Sequence, residues 1–144
     1  MNCFHRFVLR SFNVFYPYKI YGKENVPKGS AVLVCNHLSA VDAGFIADVY
    51  NKDIFFLGKK ELFKNKFFGK IISSFGVIPI DRENNDVKSM LKAIRILKDG
   101  HKLVIFPEGT RNKNENDDGL QEIKGGAALF AVKSQTPVVP IIIY

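Results

Sequence analysis

The sequence predicts an α/β fold, a single domain with a largely parallel central sheet flanked by helices. Three observations carry this expectation. Short apolar runs rich in β-branched or aromatic residues recur along the chain, helical stretches fall between most of them, and 144 residues suit one ordinary domain with a packed core. Strands separated by helices favour parallel pairing through right-handed crossovers, and in such sheets functional groups gather at the carboxyl ends of the strands.

Along the chain, the first segment is unusual. Wound as a helix, residues 4–16 put Arg6, Arg10 and Asn13 on a narrow polar face, while Phe4, Phe7, Val8, Leu9, Phe12, Val14, Phe15 and Tyr16 cover most of the remainder. The pattern suits a helix lying in a lipid interface, or equally a terminal helix docked on the domain's own core. We take residues 1–16 as a membrane-associating amphipathic helix at the start of a single domain, 1–144. Arg10 interrupts the apolar run and no small-residue cleavage site follows, which argues against a signal peptide. No stretch reaches the ~18 uninterrupted apolar residues of a spanning helix.

Buried strands are predicted at Ala31–Cys35, Ile54–Leu57, Val77–Ile80, Leu103–Phe106 and Val138–Tyr144. The clearest helix is Val87–Lys98, where Val87, Met90, Leu91, Ile94 and Leu97 recur at helical spacing and Gly100 supplies a stop. The stretch Ile54–Ile72 interleaves Phe55, Phe56, Phe63, Phe67 and Phe68 with Lys59, Lys60, Lys64, Lys66 and Lys70. It reads as a strand and helix with some rings in the core and the lysines facing anionic headgroups. Asn112–Gly119 is polar and aperiodic, an exposed loop within the domain. A helix is expected after Gly125-Gly126; its start could face phosphate, and Ala127, Ala128 and Ala131 suit close packing on the sheet. The sequence stops at Tyr144 inside an apolar run, which predicts a domain truncated at its C-terminus.

Lysine and arginine outnumber acids 21 to 14, for a net charge of +7, so an anionic partner is expected: nucleic acid, acidic lipid or a phosphorylated substrate. No nucleic-acid-binding motif is present. Cys3 and Cys35 lack the spacing of a zinc site or a disulfide framework, which fits a reducing compartment and predicts no metal. Cys35, within a predicted strand, reads as a buried inert thiol. His5 and His101 have no carboxylate at suggestive spacing.

Three segments at predicted strand ends could do chemistry. In Asn36-His37-Leu38-Ser39-Ala40-Val41-Asp42, a histidine on the turn can take a proton near neutral pH, and a carboxylate on its other nitrogen would fix the tautomer. The same residues spell a capping box in which Asp42 satisfies the Ser39 N–H; with two carboxylate oxygens, both readings can hold. In Phe106-Pro107-Glu108-Gly109-Thr110-Arg111, proline and glycine force a tight turn presenting Glu108, Thr110, Arg111 and backbone N–H groups, where an arginine fork could bind phosphate. A plain turn with solvated charges fits as well. In Gly76–Arg82 a strand ends in Asp81-Arg82, either a surface pair or a second phosphate site at Arg82.

Taken in order with Val138-Val139-Pro140-Ile141, these segments resemble the four sequence blocks of the glycerolipid acyltransferase family typified by bacterial 1-acyl-glycerol-3-phosphate acyltransferases. The resemblance runs from about Gly22 to the last residue and includes Gly58–Phe63 and Lys124–Ala128 between blocks. It implies a glycerol-phosphate acyltransferase-like fold, His37 as general base with Asp42 orienting it, and Arg82, Glu108, Gly109, Thr110 and Arg111 at the acceptor's phosphate or its positioning. It further implies acyl transfer from acyl-CoA or acyl carrier protein to the sn-2 hydroxyl of lysophosphatidic acid, with no cofactor and no acyl-enzyme. The expected location is the cytoplasmic face of an anionic membrane, peripheral or monotopic. Alternatives are another lysophospholipid or glycerol-3-phosphate as acceptor, an ester hydrolase, or an inactive truncated remnant; a GxSxG elbow, which would favour hydrolysis, is absent.

Overall fold

The computed structural model describes residues 14, 16–39, 41–50, 53–81, 84, 86–109 and 125–144. The expected helix over residues 1–16, apart from Val14 and Tyr16, and the loop 112–119 lie outside them. Five strands form one sheet: β1 (Ala31–Cys35), β2 (Ile54–Lys59), β3 (Val77–Ile80), β4 (Lys102–Ile105) and β5 (Val138–Ile141). Between them lie α1 (Asp42–Tyr50), α2 (Lys66–Ser74), α3 (Val87–Lys98) and α4 (Gly126–Ser134), with a 3-10 turn at Lys60–Phe63 leading into α2. Every strand pairing is parallel, and the order across the sheet is β3-β2-β4-β1-β5. The α/β class with a parallel sheet is therefore as expected.

This order determines which face each helix covers. From β1 to β2 to β3 the chain moves toward one edge; from β3 to β4 to β5 it moves back. Because parallel crossovers are right-handed, the reversal places the two halves on opposite faces. Side-chain packing agrees. Ile46 and Ala47 of α1 share a core with Ala31, Leu33, Cys35, Ile54, Phe56 and Val104. On the other face, Ala93 and Leu97 of α3 and Phe130 and Ala131 of α4 pack on Val32, Leu103 and Ile105. Strand residues alternate between the two cores, the period-two pattern of a sheet buried on both sides.

Strand limits differ from expectation where pairing extends or ends them. Gly58 and Lys59 continue β2 by pairing with Pro79 and Ile80. Lys102 opens β4 between Ala31 and Ile54, and its buried ammonium donates to the carbonyls of Lys28 and Gly29 at 3.2 and 2.8 Å. Phe106 leaves the strand to begin a turn, and β5 stops at Ile141 rather than Tyr144. Prolines occur in the two strands at the ends of this order, Pro79 in β3 and Pro140 in β5, where a missing N–H costs no ladder bond on the open side.

Candidate functional site

β1 and β4 are neighbours, with Val34 opposite Ile105, yet their chains leave in different directions. β1 runs on to α1 on one face and β4 toward α4 on the other, which opens a crevice between their carboxyl ends. Such a switch point is where open α/β sheets hold ligands. His37 stands two residues beyond the end of β1, and Glu108 three beyond the end of β4.

The turn after β1 is organised by one oxygen. Asp42 Oδ2 accepts from the N–H groups of Leu38 and Ser39, each at 2.8 Å, and lies 2.9 Å from His37 Nδ1. An oxygen already accepting from two backbone donors makes the imidazole the third donor. Nδ1 then carries the proton, and the lone pair sits on Nε2, at the ring's other side. The Asp42 side chain is 2% exposed and that of His37 20%, so the carboxylate is buried while the ring reaches the surface. Asp42 makes both contacts, to Ser39 N–H and to the His37 ring, although through the same oxygen rather than two. The reciprocal half of the capping box does not form as expected: Ser39 Oγ accepts from Val41 N–H at 3.4 Å instead.

The imidazole plane is fixed by Phe106, which stacks on it at a centroid distance of 4.0 Å and an angle of 21°. Phe106 can do this because it starts a turn closed by Gly109 N–H to Phe106 C=O at 3.0 Å, with Pro107 at the position where a fixed φ suits it. Gly109 continues the chain at φ 75°, a conformation that glycine adopts without strain. Within the turn, Glu108 is buried, and its Oε1 accepts a long hydrogen bond, 3.4 Å, from His37 N–H. Asn36 ties in the segment after β5. Its side chain donates to Ile143 C=O and accepts from Ile143 N–H, both at 2.8 Å, as a peptide group would in a ladder. Beneath the turn, burial first and the charges of Asp42 and Glu108 second push the Cys35 thiol up to about 12, consistent with an inert cysteine.

The remaining sequence-predicted site residues divide in two. Glu108 meets His37's turn and Gly109 closes the turn after β4, whereas Arg82, Thr110 and Arg111 lie outside the described residues. The strands that precede Arg82 and Arg111 end on the same rim as β1. β4 is adjacent to β1, while β3 is three strands away, roughly 14 Å at ordinary strand spacing. Asp81, at the end of β3, is met by Lys60 at 3.1 Å. His101 faces the carboxylate of Asp53 at 3.9 Å, a pairing its sequence neighbours did not suggest, but next to the start of β4 and so at the opposite rim. The Phe106 stack, the Glu108 contact and the Asn36 clamp were not foreseen. The one advance signal was position: Asn36 and Phe106 directly follow strands, and Glu108 lies in the turn after β4, at the same rim.

The profile of the family described as Acyltransferase matches residues 17–144. The chain is 36% identical over 124 residues to the 1-acyl-sn-glycerol-3-phosphate acyltransferase of Bacillus subtilis, a match covering 85% of this chain and 60% of that protein. It is 36% identical over 112 residues to the protein of the same name from Streptococcus pneumoniae, covering 76% of this chain and 40% of that one. Among solved structures it is similar to the 1-acyl-sn-glycerophosphate (LPA) acyltransferase PlsC of Thermotoga maritima. There the TM-score is 0.69 and the identity 27%, over 94% of this chain and 57% of that one. The chain thus spans 60% or less of the length of these proteins.

Proposed function

This chain belongs to the acyltransferase family, and from that premise we propose that it moves a fatty acyl group from an acyl thioester to the sn-2 hydroxyl of 1-acyl-glycerol-3-phosphate. The product is phosphatidic acid for phospholipid synthesis. The observation that carries this reading is the His37–Asp42 pair at 2.9 Å, set in the crevice between β1 and β4.

In this mechanism His37 Nε2 takes the proton of the acceptor hydroxyl as its oxygen attacks the thioester carbonyl. Asp42 holds Nδ1–H and stabilises the imidazolium that forms. The tetrahedral intermediate expels the thiolate, which receives the proton back from His37; an ester and a free thiol result, without an acyl-enzyme. A general base contributes ~10²–10⁴-fold, so positioning and stabilisation of the oxyanion supply the rest. Arg82, Thr110 and Arg111 bind the acceptor's phosphate, and Gly109, in the turn after β4, serves the same site. Glu108, whose carboxylate faces the His37 backbone, serves the same turn as a positioning residue.

The donor is acyl-CoA or acyl carrier protein, with no further cofactor and no nucleic-acid partner. Among the described residues no helix is long and apolar enough to cross a membrane. The reading places the protein peripherally or monotopically on the cytoplasmic face of an anionic membrane, where its acceptor resides.

Incubation of the purified chain with labelled acyl-CoA, and separately with labelled acyl carrier protein, tests this when run with and without lysophosphatidate. Acceptor-dependent phosphatidic acid is the expected product. Free fatty acid formed regardless of acceptor would mean a hydrolase, and neither product from either donor would overturn the assignment of activity to this chain.

A further inference from the structure

Helix α2 is inverted relative to an ordinary surface helix. Of its nine residues, Gly69 is the buried one, while Phe67 is 77%, Phe68 47% and Ile71 36% exposed. An amphipathic helix on a soluble domain turns its apolar stripe to the core. Here the stripe points away, because the helix is seated through its glycine. A Cβ at Gly69 would come within 3.2 Å of Phe63 Cα, so backbone packs on backbone and the large side chains are left outside. Asn65 caps the helix, its Oδ1 accepting from Phe68 N–H at 3.1 Å, which holds the exposed arc in register.

At helical spacing, Phe67, Ile71 and Phe68 occupy one continuous arc, with Lys66 and Lys70 along one margin. Leu62, also exposed, precedes them on the 3-10 turn. From Lys59 to Phe75 the sequence holds five lysines, at 59, 60, 64, 66 and 70, against one acid, Glu61. Lys60 is held by Asp81; the other four add charge beside the apolar arc. A second copy of the same face would bring like charges together, so self-association is disfavoured. Aliphatic and aromatic groups flanked by lysines match a surface with an acyl interior and anionic headgroups.

We infer that α2 and the preceding 3-10 turn dock the protein onto an anionic lipid surface, with Phe67, Phe68 and Ile71 entering the headgroup layer and Lys66 and Lys70 at its phosphates. The inference rests on the membrane-surface location proposed above and names the face that makes the contact. The 3-10 turn departs directly from the carboxyl end of β2. The docked face therefore begins on the rim that carries His37, and a lipid acceptor in that surface lies on the side where the imidazole is presented.

The sequence contains no tryptophan, which supplies a direct probe. Phe67→Trp places a lone emitter on α2, and Leu91→Trp places one at an exposed apolar position on α3, across the sheet. Each is titrated with vesicles of phosphatidylcholine alone and of an equal mixture with phosphatidylglycerol. The expected result is a blue shift for the α2 emitter with the mixed vesicles, weaker with phosphatidylcholine and reduced by added salt as screening grows. The α3 emitter stays unshifted. In co-sedimentation, combined Phe67→Ser, Phe68→Ser and Ile71→Ser weakens binding about tenfold or more, while combined Val87→Ser and Leu91→Ser leaves it unchanged. Equal shifts at both emitters, indifference to phosphatidylglycerol, or unchanged binding by the α2 variant would each overturn the assignment. Vesicle binding requires no acyl donor, so these outcomes are independent of whether acyl transfer is observed.

Discussion

Asp42 Oδ2 receives three donors within 2.9 Å, so substitutions there separate two roles. Asp42→Ala strips the acceptor from the part-buried Leu38 and Ser39 N–H groups; at ~1 kcal/mol or more for each hydrogen bond lost, a loss of about 2 kcal/mol is expected in urea unfolding. Asp42→Asn keeps an acceptor oxygen and should fold, but no longer holds an imidazolium by charge. Its acyl transfer should fall ~10²–10⁴-fold with little change in the urea midpoint. Transfer near the wild-type rate in a folded Asp42→Asn protein would separate Asp42 from the chemistry. Cys35 gives a second residue-scale expectation. In a Cys3→Ser background its buried thiol, pushed up to about 12, should resist iodoacetamide at mildly alkaline pH and react once denaturant is added.

Among the elements, the limits of α3, Val87–Lys98, were legible from apolar spacing and the following Gly100, but of the residues that gave the spacing Met90, Ile94 and Leu97 pack on the core while Val87 and Leu91 are exposed. The cap of α3 was not read. Asp86 Oδ1 accepts from Ser89 N–H at 3.0 Å and Oδ2 from Asp81 N–H at 3.1 Å, and bonds to Ser89 and Asp81 hold the Asp86 carboxyl below its ordinary range. A depressed carboxyl contributes stability that is present above the unfolded-state value and lost as pH falls through the folded-state value. The stability gap between wild type and Asp86→Ala should therefore be present at neutral pH and shrink in acid, as thermal melts across pH would register. Gly76, at the entry to β3, has φ 83°, and a Cβ there would stand 2.7 Å from Ile54 O. Gly76→Ala should cost about 1–3 kcal/mol, read as a lower urea midpoint at unchanged slope.

At the scale of the molecule, strand and helix identities were open to reading because each is a local pattern: contiguous apolar runs for β1 to β5, helical periodicity for α3. The insertion of β4 between β1 and β2 was not, since periodicity does not specify partners. Contacts that complete the site share this limit. Glu108 meets His37 across 71 residues and Asn36 meets Ile143 across 107, so neither leaves a local trace. His37 and Asp42 lie five apart, and their pairing could be anticipated from spacing. Asn36→Ala tests the long-range link. Losing two hydrogen bonds between β1 and the segment after β5 should cost on the order of 1–3 kcal/mol, visible as a lower unfolding midpoint.

The parallel sheet brings these ends to one rim, and the account depends on what one imidazole does there. The most direct test is the rate of lysophosphatidate-dependent ester formation by His37→Ala, normalised to folded protein by circular dichroism. A fall of about a hundredfold or more with an unchanged fold is predicted, the scale of general-base help. A folded His37→Ala protein that keeps more than about a hundredth of the wild-type rate would contradict the assignment of His37 as the base.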